Sequence, residues 1–378
     1  MEVEILPDKP LEAFQPGECF PAGIAIPQLP DIAAALAEYG IESFGSVTLI
    51  DSTRGAADVR LNYIIGRKWV LRFCSAPDMT EKRLCDLCRL IGRYHALGIQ
   101  CPQFLADKEG KYLHPWNGFQ YYLSEYIDLP LAEDRNTLDE ERLINEVQES
   151  VARFAEAYRN VDLSETMGMY SLFDLSPFDI PNGIDEKEEN FNLLIGCLRK
   201  DQENKLADRL TARHADIRGK LKAVYRDLPR CVFQGDENFS NILIDEKEHF
   251  SGFIDFNLAG TEVIVNQLAN VAGFDYDEKQ TAPEGADKRL EYALRFFQRS
   301  MKRMLQIYHP TEQELAALPW YAWIVMIAQW PTVCYFRNAL GKSELRGEIL
   351  ALLSLIADLP EDRIFNSSQQ INQTYSGK

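Results

Sequence analysis

Residues Cys231–Phe256 read CVFQGDENFSNILIDEKEHFSGFIDF, and the interpretation of the whole chain starts from this stretch. Apolar strand-like runs enclose acidic turns, so that polar side chains are embedded between apolar flanks. Asp236 and Asn241 lie five residues apart, a spacing that allows a tight loop to bring both side chains into one pocket. The two apolar triplets that follow predict a hairpin, which would return Asp255 to a position beside Asn241.

These three side chains provide the groups that a phosphoryl transfer requires. One carboxylate orients and deprotonates the incoming hydroxyl, while a second carboxylate and an amide supply oxygen ligands for magnesium. Asp and Asn between strands are also common turn formers, and Asn238 and Asp245 are interpreted in that way. For Asp236, Asn241 and Asp255 together, the functional interpretation is favoured because residue type, spacing and apolar framing all agree.

The motif Gln-Gly-Asp-x4-Asn at Gln234–Asn241, followed by Ile-Asp-Phe at 254–256, resembles the paired signature of the aminoglycoside phosphotransferase and choline kinase superfamily. This resemblance implies a protein-kinase-like fold. It implies Asp236 as the catalytic base, and Asn241 and Asp255 as ligands of Mg²⁺. It also implies ATP as the phosphate donor, with GTP not excluded.

The chain departs from this family at Gln234, which occupies the position where the family usually has histidine. A glutamine amide can both donate and accept hydrogen bonds. Gln234 is therefore expected to support the loop that carries Asp236, and the substitution affects the tuning of the site more than the class of reaction.

The resemblance also implies a nucleotide site in the first third of the chain. The family has a basic strand residue with an acidic helix partner, a loop of small residues over the phosphates, and a hinge whose backbone pairs with adenine. The matching positions are Arg72, Asp86 (with Glu81 as a rival), Ser52 and Gly55, and Glu125, Tyr126 and Ile127. Neither a P-loop motif nor a strand-borne G-x-G-x-x-G occurs, so that P-loop and dinucleotide enzymes are not supported.

The order of patterns along the chain predicts an α+β, two-lobed protein with a small antiparallel β-sheet N-lobe and a mainly helical C-lobe. The resemblance implies that these lobes form a protein-kinase-like fold. Residues 1–30 are expected to form an N-terminal arm, 31–126 the nucleotide-binding lobe, and 127–378 the helical lobe with the catalytic hairpin at 231–256. Strands are predicted at 46–50, 59–65, 69–74, 103–106 and 119–126. Helices are predicted at 32–39, 79–97, 138–158, 191–198, 205–225, 289–308, 312–337 and 345–359.

Composition limits the partners. The chain has 58 acidic and 40 basic residues and a formal charge of −18, which repels nucleic acid and anionic membranes. The uncharged segment 315–336 is interrupted by Pro319 and Pro331, and is interpreted as a buried helix instead of a membrane span. Single cysteines and the lack of a leader pattern predict a cytoplasmic protein, and the Cys85–Cys88 pair is interpreted as two thiols on a helix face.

The expected acceptor is a small molecule with a hydroxyl group, such as an aminoglycoside, choline, an amino alcohol or a hydroxy amino acid. Residues 164–189, which include Tyr170, could form a wall of its pocket, and Glu262, Asp275 and Asp277 could supply the charge for an amine. The same residues could form an ordinary acidic surface. A weakly active or inactive nucleotide-binding scaffold of the spore-coat-kinase type is the alternative function, and the sequence leaves the oligomeric state open.

Overall fold

The structure is a computed structural model that describes residues 3–7, 26–53, 59–76, 79–177, 179, 183–276 and 285–366. The chain divides into two compact units. The first comprises Met1–Thr137 and Asn238–Ile254, and the second comprises Leu138–Glu237 and Asp255–Lys378. The division therefore crosses the 231–256 stretch twice.

The first unit contains a seven-stranded sheet in which neighbouring strands follow the order β1-β2-β3-β4-β7-β5, with β6 pairing with β7. All pairs in this sheet are antiparallel except the parallel pair β1–β2. The strands are β1 (Val3–Pro7), β2 (Val47–Asp51), β3 (Arg60–Ile65), β4 (Trp69–Cys74), β5 (Phe104–Leu105), β6 (His114–Trp116) and β7 (Phe119–Glu125).

Among its described residues, this unit has the α-helices α1 (Leu29–Glu38) and α2 (Glu81–Ala96). Alternate residues of the central strands are buried, as the period of two requires, and they form one apolar cluster with Ile32 and Leu36 of α1. Helix α1 begins three residues before the predicted start. Asp31, the residue before the predicted start, lies in its first turn, where its carboxylate accepts the N–H of Gln28 at 2.9 Å.

The hairpin predicted within 231–256 consists of β9 (Ile242–Ile244) and β10 (Phe250–Phe253), which pair antiparallel. The segment after α2 lies against β10, because Gln100 donates its N–H to Ser251 and accepts the N–H of Phe253, both at 2.9 Å. Tyr94 of α2 packs edge-on against Phe253, with 5.7 Å between the ring centroids. The hairpin is thus fixed to the sheet-bearing unit by backbone bonds and by an aromatic contact.

The second unit is mainly helical and has one two-stranded sheet, in which β8 (Arg230–Phe233) pairs antiparallel with β11 (Gly260–Val263). Its helices are α3 (Glu140–Tyr158), α4 (Glu186–Lys200), α5 (Asn204–Val224), α6 (Ile264–Ala272), α7 (Ala286–Met304), α8 (Glu312–Ala328), α9 (Trp330–Leu340), α10 (Ser343–Ala357) and α11 (Glu361–Ile364). Helix α8 packs against α5 and α6, and its second half is completely buried.

One predicted helix, 312–337, is in fact two helices, α8 and α9. The break falls at Gln329, whose backbone is extended. Pro331 lies in the first turn of α9 and has no N–H with which to continue the hydrogen-bond pattern of α8. The side chain of Gln329 donates to the carbonyl oxygen of Asn270 at 3.0 Å, which fixes the break against α6. In the part of the chain that the structure describes, no helix is long and apolar enough to cross a membrane.

Candidate active site

The turn that carries Asp236 is built on Gly235 and Gln234. Gly235 has a φ of 83°, and a Cβ atom at this position would lie 2.7 Å from the carbonyl oxygen of Leu258. Only glycine satisfies both conditions without strain. The Gln234 side chain is fully buried and accepts the N–H of Asp236 at 2.7 Å, so that the backbone that carries the half-buried Asp236 is held at a fixed position.

The same glutamine also binds the backbone of Asp255, because Gln234 Nε2 donates to its carbonyl oxygen at 2.7 Å. One buried side chain therefore connects the two predicted carboxylates. Asp255 has a φ of 53°, which is uncommon for a residue other than glycine, and its Oδ1 accepts the N–H of Asn257 at 3.2 Å. Such backbone strain is frequent at functional sites.

Asn241 lies in the first unit, at the start of β9, and is 6% exposed. Its carbonyl oxygen accepts the N–H of Ile254 at 2.9 Å, so that the residue bonded to Asp255 is paired with Asn241. Asn238 and Asp245 act in turns, as the sequence predicts: the Asn238 side chain accepts the N–H of Ser240, and Asp245 accepts the N–H groups of Lys247 and His249.

The expected nucleotide residues on the sheet form a connected set. Arg72 Nε donates to Asn62 Oδ1 at 2.6 Å, and Asn62 Nδ2 donates to Ser52 Oγ at 2.9 Å. Arg72 also approaches the hydroxyl of Tyr122 at 3.3 Å. Arg72 and Ser52 are thus linked through Asn62, which sequence reasoning did not single out, and Gly55 lies outside the described residues.

The acidic helix residues have other partners in this structure. Asp86 forms an ion pair with Arg89, one turn further along α2. Glu81 accepts the N–H groups of Tyr112 and Leu113, both at 2.9 Å, and so fixes the segment before β6.

The expected hinge, Glu125–Ile127, follows β7. The N–H of Glu125 donates to Gln103 at 2.9 Å, and the N–H of Tyr126 donates to Lys68 at 2.8 Å. Both donors are occupied by backbone carbonyls, so that among the three backbone N–H groups the one of Ile127 is the better candidate for an adenine edge.

Two carboxyl groups of the second unit have raised pKa values. Glu262 is 3% exposed and accepts hydrogen bonds from Ser171, Asn266 and the N–H of Val263 at 3.0, 3.1 and 2.7 Å. Burial raises the pKa of Glu262 to about 7 despite these donors. Asp275 accepts the hydroxyl of Tyr292 at 3.2 Å, while Asp277 lies outside the described residues.

Glu237 is the second group, and sequence reasoning missed it. It is half-buried beside Asp236 and accepts Gln267 Nε2 at 2.8 Å. Burial, together with the charge of Asp236, raises the pKa of Glu237 to about 7. A sequence signal was present, since a second acid directly follows Asp236, but adjacency does not show which way the side chain points.

Tyr170 lies in the field of these acids. Burial raises the pKa of its hydroxyl well above the usual value, and the charges of Glu237, Glu186, Asp236 and Glu262 raise it further. The Nζ atom of Lys187, the cation paired with Glu186, lies 4.4 Å from the centre of the Tyr170 ring. Tyr170 therefore lies between a set of acids that includes Asp236 and one buried cation.

Comparison with known proteins assigns the family. The model of the phosphotransferase enzyme family matches residues 53–304, which is more than half of the chain. The chain therefore belongs to the phosphotransferase enzyme family, and its α+β fold agrees with the one that the resemblance implied. A search of curated proteins found no significant match.

Among solved structures, a microcompartment-associated aminopropanol kinase is similar at 10% identity and a TM-score of 0.48, covering 91% of this chain and 98% of that chain. An amicoumacin kinase solved with AMP-PNP and Ca²⁺ shows 12% identity and a TM-score of 0.47, covering 83% and 89%. A spectinomycin phosphotransferase solved with ADP shows 12% identity and a TM-score of 0.44, covering 88% and 98%. At these values the likeness is too low to transfer a substrate.

Proposed function

We propose that this chain is an ATP-dependent small-molecule kinase that transfers the γ-phosphate to a hydroxyl group. The observation that carries the proposal is the pair of hydrogen bonds made by Gln234, each at 2.7 Å, to the N–H of Asp236 and to the carbonyl of Asp255. The side chain that replaces the usual histidine thus holds both carboxylate-bearing residues. The strained backbone of Asp255 supports the same interpretation.

In the proposed reaction, Asp236 accepts a hydrogen bond from the acceptor hydroxyl and orients its oxygen toward the γ-phosphorus. As the new O–P bond forms and the bond between the γ-phosphorus and the bridging oxygen breaks, the hydroxyl proton moves to Asp236 and ADP leaves. Arg72, held by Asn62, would bind phosphate oxygens, with Ser52 and Gly55 covering them and Ile127 contacting adenine.

The residues also fit a magnesium ion. Asn241 and Asp255 offer an amide oxygen and a carboxylate, which are hard ligands of the kind that Mg²⁺ prefers. Only one of the two Asp255 oxygens is engaged by the N–H of Asn257. When bound, Mg²⁺ would neutralise charge on the phosphates, and the role of the protein is to hold these two side chains in place.

For the acceptor, we propose a hydroxyl compound that carries an amine, such as an amino alcohol, choline, an aminoglycoside or a hydroxy amino acid. The acids whose charges raise the pKa of the Tyr170 hydroxyl support this choice, because carboxylates attract an amine; they are Glu237, Glu186, Asp236 and Glu262. Glu262 is buried, so that it would act through its charge and not by direct contact, and Asp275 and Asp277 are the other acids proposed to attract the amine.

An ATP-consumption screen over these acceptors tests the proposal. We expect turnover with at least one class, and we expect Asp236→Asn to abolish transfer while the Kd for Mg-ATP stays within about twofold of the wild type. Asp255→Asn should instead weaken Mg-ATP binding. Undiminished turnover by Asp236→Asn contradicts the assignment of the base.

The alternative scaffold function predicts a different result, namely Mg-ATP binding without phosphorylation of any compound in the panel. A cytoplasmic location is also proposed. The seven cysteines in the described residues are all free thiols, which suits a reducing compartment.

A further inference from the structure

Glu237 directly follows Asp236 in the chain, and its carboxyl group is hydrogen-bonded to helix α6. Its oxygen accepts Gln267 Nε2 at 2.8 Å, and Gln267 is 1% exposed on α6. Backbone hydrogen bonds from Gly235 and from Glu237 itself lower the pKa of this carboxyl, against the larger effect of burial. The side chain is therefore anchored to a buried residue of α6.

The turn is consequently held from two directions. Gln234 accepts the N–H of Asp236 at 2.7 Å, and Glu237, the residue after Asp236, accepts Gln267 Nε2 at 2.8 Å. Gly235 itself has no room for a side chain against Leu258. The residues on both sides of Asp236 are thus held in place.

We propose that Glu237, anchored by Gln267, is a positioning residue that sets the orientation of Asp236 for the phosphoryl transfer. This inference rests on the proposed function, because it assigns Glu237 a role in that reaction. Glu237 does not touch the reacting atoms; it acts through the backbone of the turn. A misplacement of the base by about 1 Å costs on the order of 100-fold in rate, so that even partial release of the turn is measurable.

Methionine has nearly the shape of Glu and Gln but cannot form their mutual hydrogen bond, so that methionine variants test the positioning of Asp236 while they preserve the packing. Glu237→Met and Gln267→Met each remove one partner, and Glu237→Gln retains an acceptor for Gln267. We expect both methionine variants to lower kcat by about 10-fold or more, with KM for Mg-ATP within about twofold of the wild type. The variant that carries both methionine substitutions should have a kcat no lower than that of the more affected single variant, because all three variants lose the same hydrogen bond. Glu237→Gln should recover most of kcat.

Gln148→Met is the matched control. Gln148 is also a buried glutamine of the second unit, and it donates to Val271 of α6 at 3.2 Å and accepts Arg303 at 3.0 Å. Its replacement should lower the urea midpoint as Gln267→Met does and leave kcat unchanged. If Glu237→Met does not fold, Gln267→Met and Glu237→Gln provide the same test.

The outcomes are distinguishable. Wild-type kcat in Gln267→Met and Glu237→Met, alongside an inactive Asp236→Asn, overturns the positioning role and leaves the kinase proposal intact. Equal loss of kcat in Gln148→Met also overturns it, because general destabilisation then explains the effect. A wild-type protein that turns over no acceptor overturns both.

Discussion

Glu262 gives the sharpest test of the buried electrostatics, through the substitution Glu262→Gln. The carboxyl group is 3% exposed, and burial raises its pKa from 4.5 to about 7. In the unfolded chain the same group titrates near its ordinary value. Glutamine has nearly the same shape and stays neutral at every pH, so that the substitution removes the titration and changes little else.

The direction in which the free energy of unfolding changes with pH follows from the protons that the folded and unfolded states bind. Between pH 4.5 and about 7 the folded protein holds a proton on Glu262 that the unfolded chain has released, so that the free energy of unfolding falls as pH rises through this window. The stabilisation is fully present below pH 4.5 and is lost above pH 7. Each pH unit between the two pKa values is worth about 1.4 kcal/mol, which gives about 3 kcal/mol as an upper limit.

Urea unfolding of the wild type and of Glu262→Gln at pH 4.5, 6, 7 and 8 measures this effect. The variant should gain up to about 3 kcal/mol relative to the wild type between pH 4.5 and pH 8. Glu291→Gln, at an exposed position of α7 in the same unit, is the control and should show no such trend. A difference between Glu262→Gln and the wild type that is constant at all four pH values refutes the reasoning.

Three further predictions concern other parts of the chain. His214 is buried against Phe191, and burial lowers its pKa to about 3. The unfolded chain therefore binds a proton at His214 that the folded protein does not, and the free energy of unfolding falls as pH drops below 6.5. His214→Phe should reduce this loss when urea unfolding at pH 5 is compared with pH 7. Gly252→Ala would place a Cβ atom 1.8 Å from the carbonyl oxygen of Gln100, and circular dichroism should show that this variant does not fold normally. Gly219→Ala lies in open space within α5 and should raise the free energy of unfolding by about 1 kcal/mol. Arg72→Met should raise KM for Mg-ATP about 10-fold, and an unchanged KM would remove Arg72 from the nucleotide site.

Local patterns predicted much of the sheet-bearing unit. The structure places β2, β3 and β4 within one residue of the predicted bounds. Buried and partly buried residues alternate along β2 and β3, which is the period of two that marks a strand. Strand β1 was missed. It lies in the proline-rich first thirty residues and pairs parallel with a strand forty residues later, and no periodicity in so short a segment indicates such a partner.

Long-range pairing also limited the prediction of the site. The hairpin β9–β10 was predicted because its strands are adjacent in sequence, whereas β8 pairs with β11, beyond the hairpin. That pairing places α6, and with it Gln267, directly after the strand next to the catalytic turn. Since Gln267 lies 30 residues from Glu237, their hydrogen bond could not be deduced from the motif alone.

The exchange of histidine for Gln234 has a chemical consequence that the structure makes concrete. At this position one side chain must donate to the carbonyl of Asp255 and accept the N–H of Asp236. A neutral imidazole has one donor and one acceptor nitrogen, but protonation near pH 6.5 turns the acceptor into a second donor and ends the bond to Asp236. An amide has the same pair of groups and does not titrate. The glutamine therefore preserves the geometry of the turn and makes this support independent of pH, which leaves the nearby carboxyl groups, Glu237 and Glu262, as the groups that titrate near neutrality.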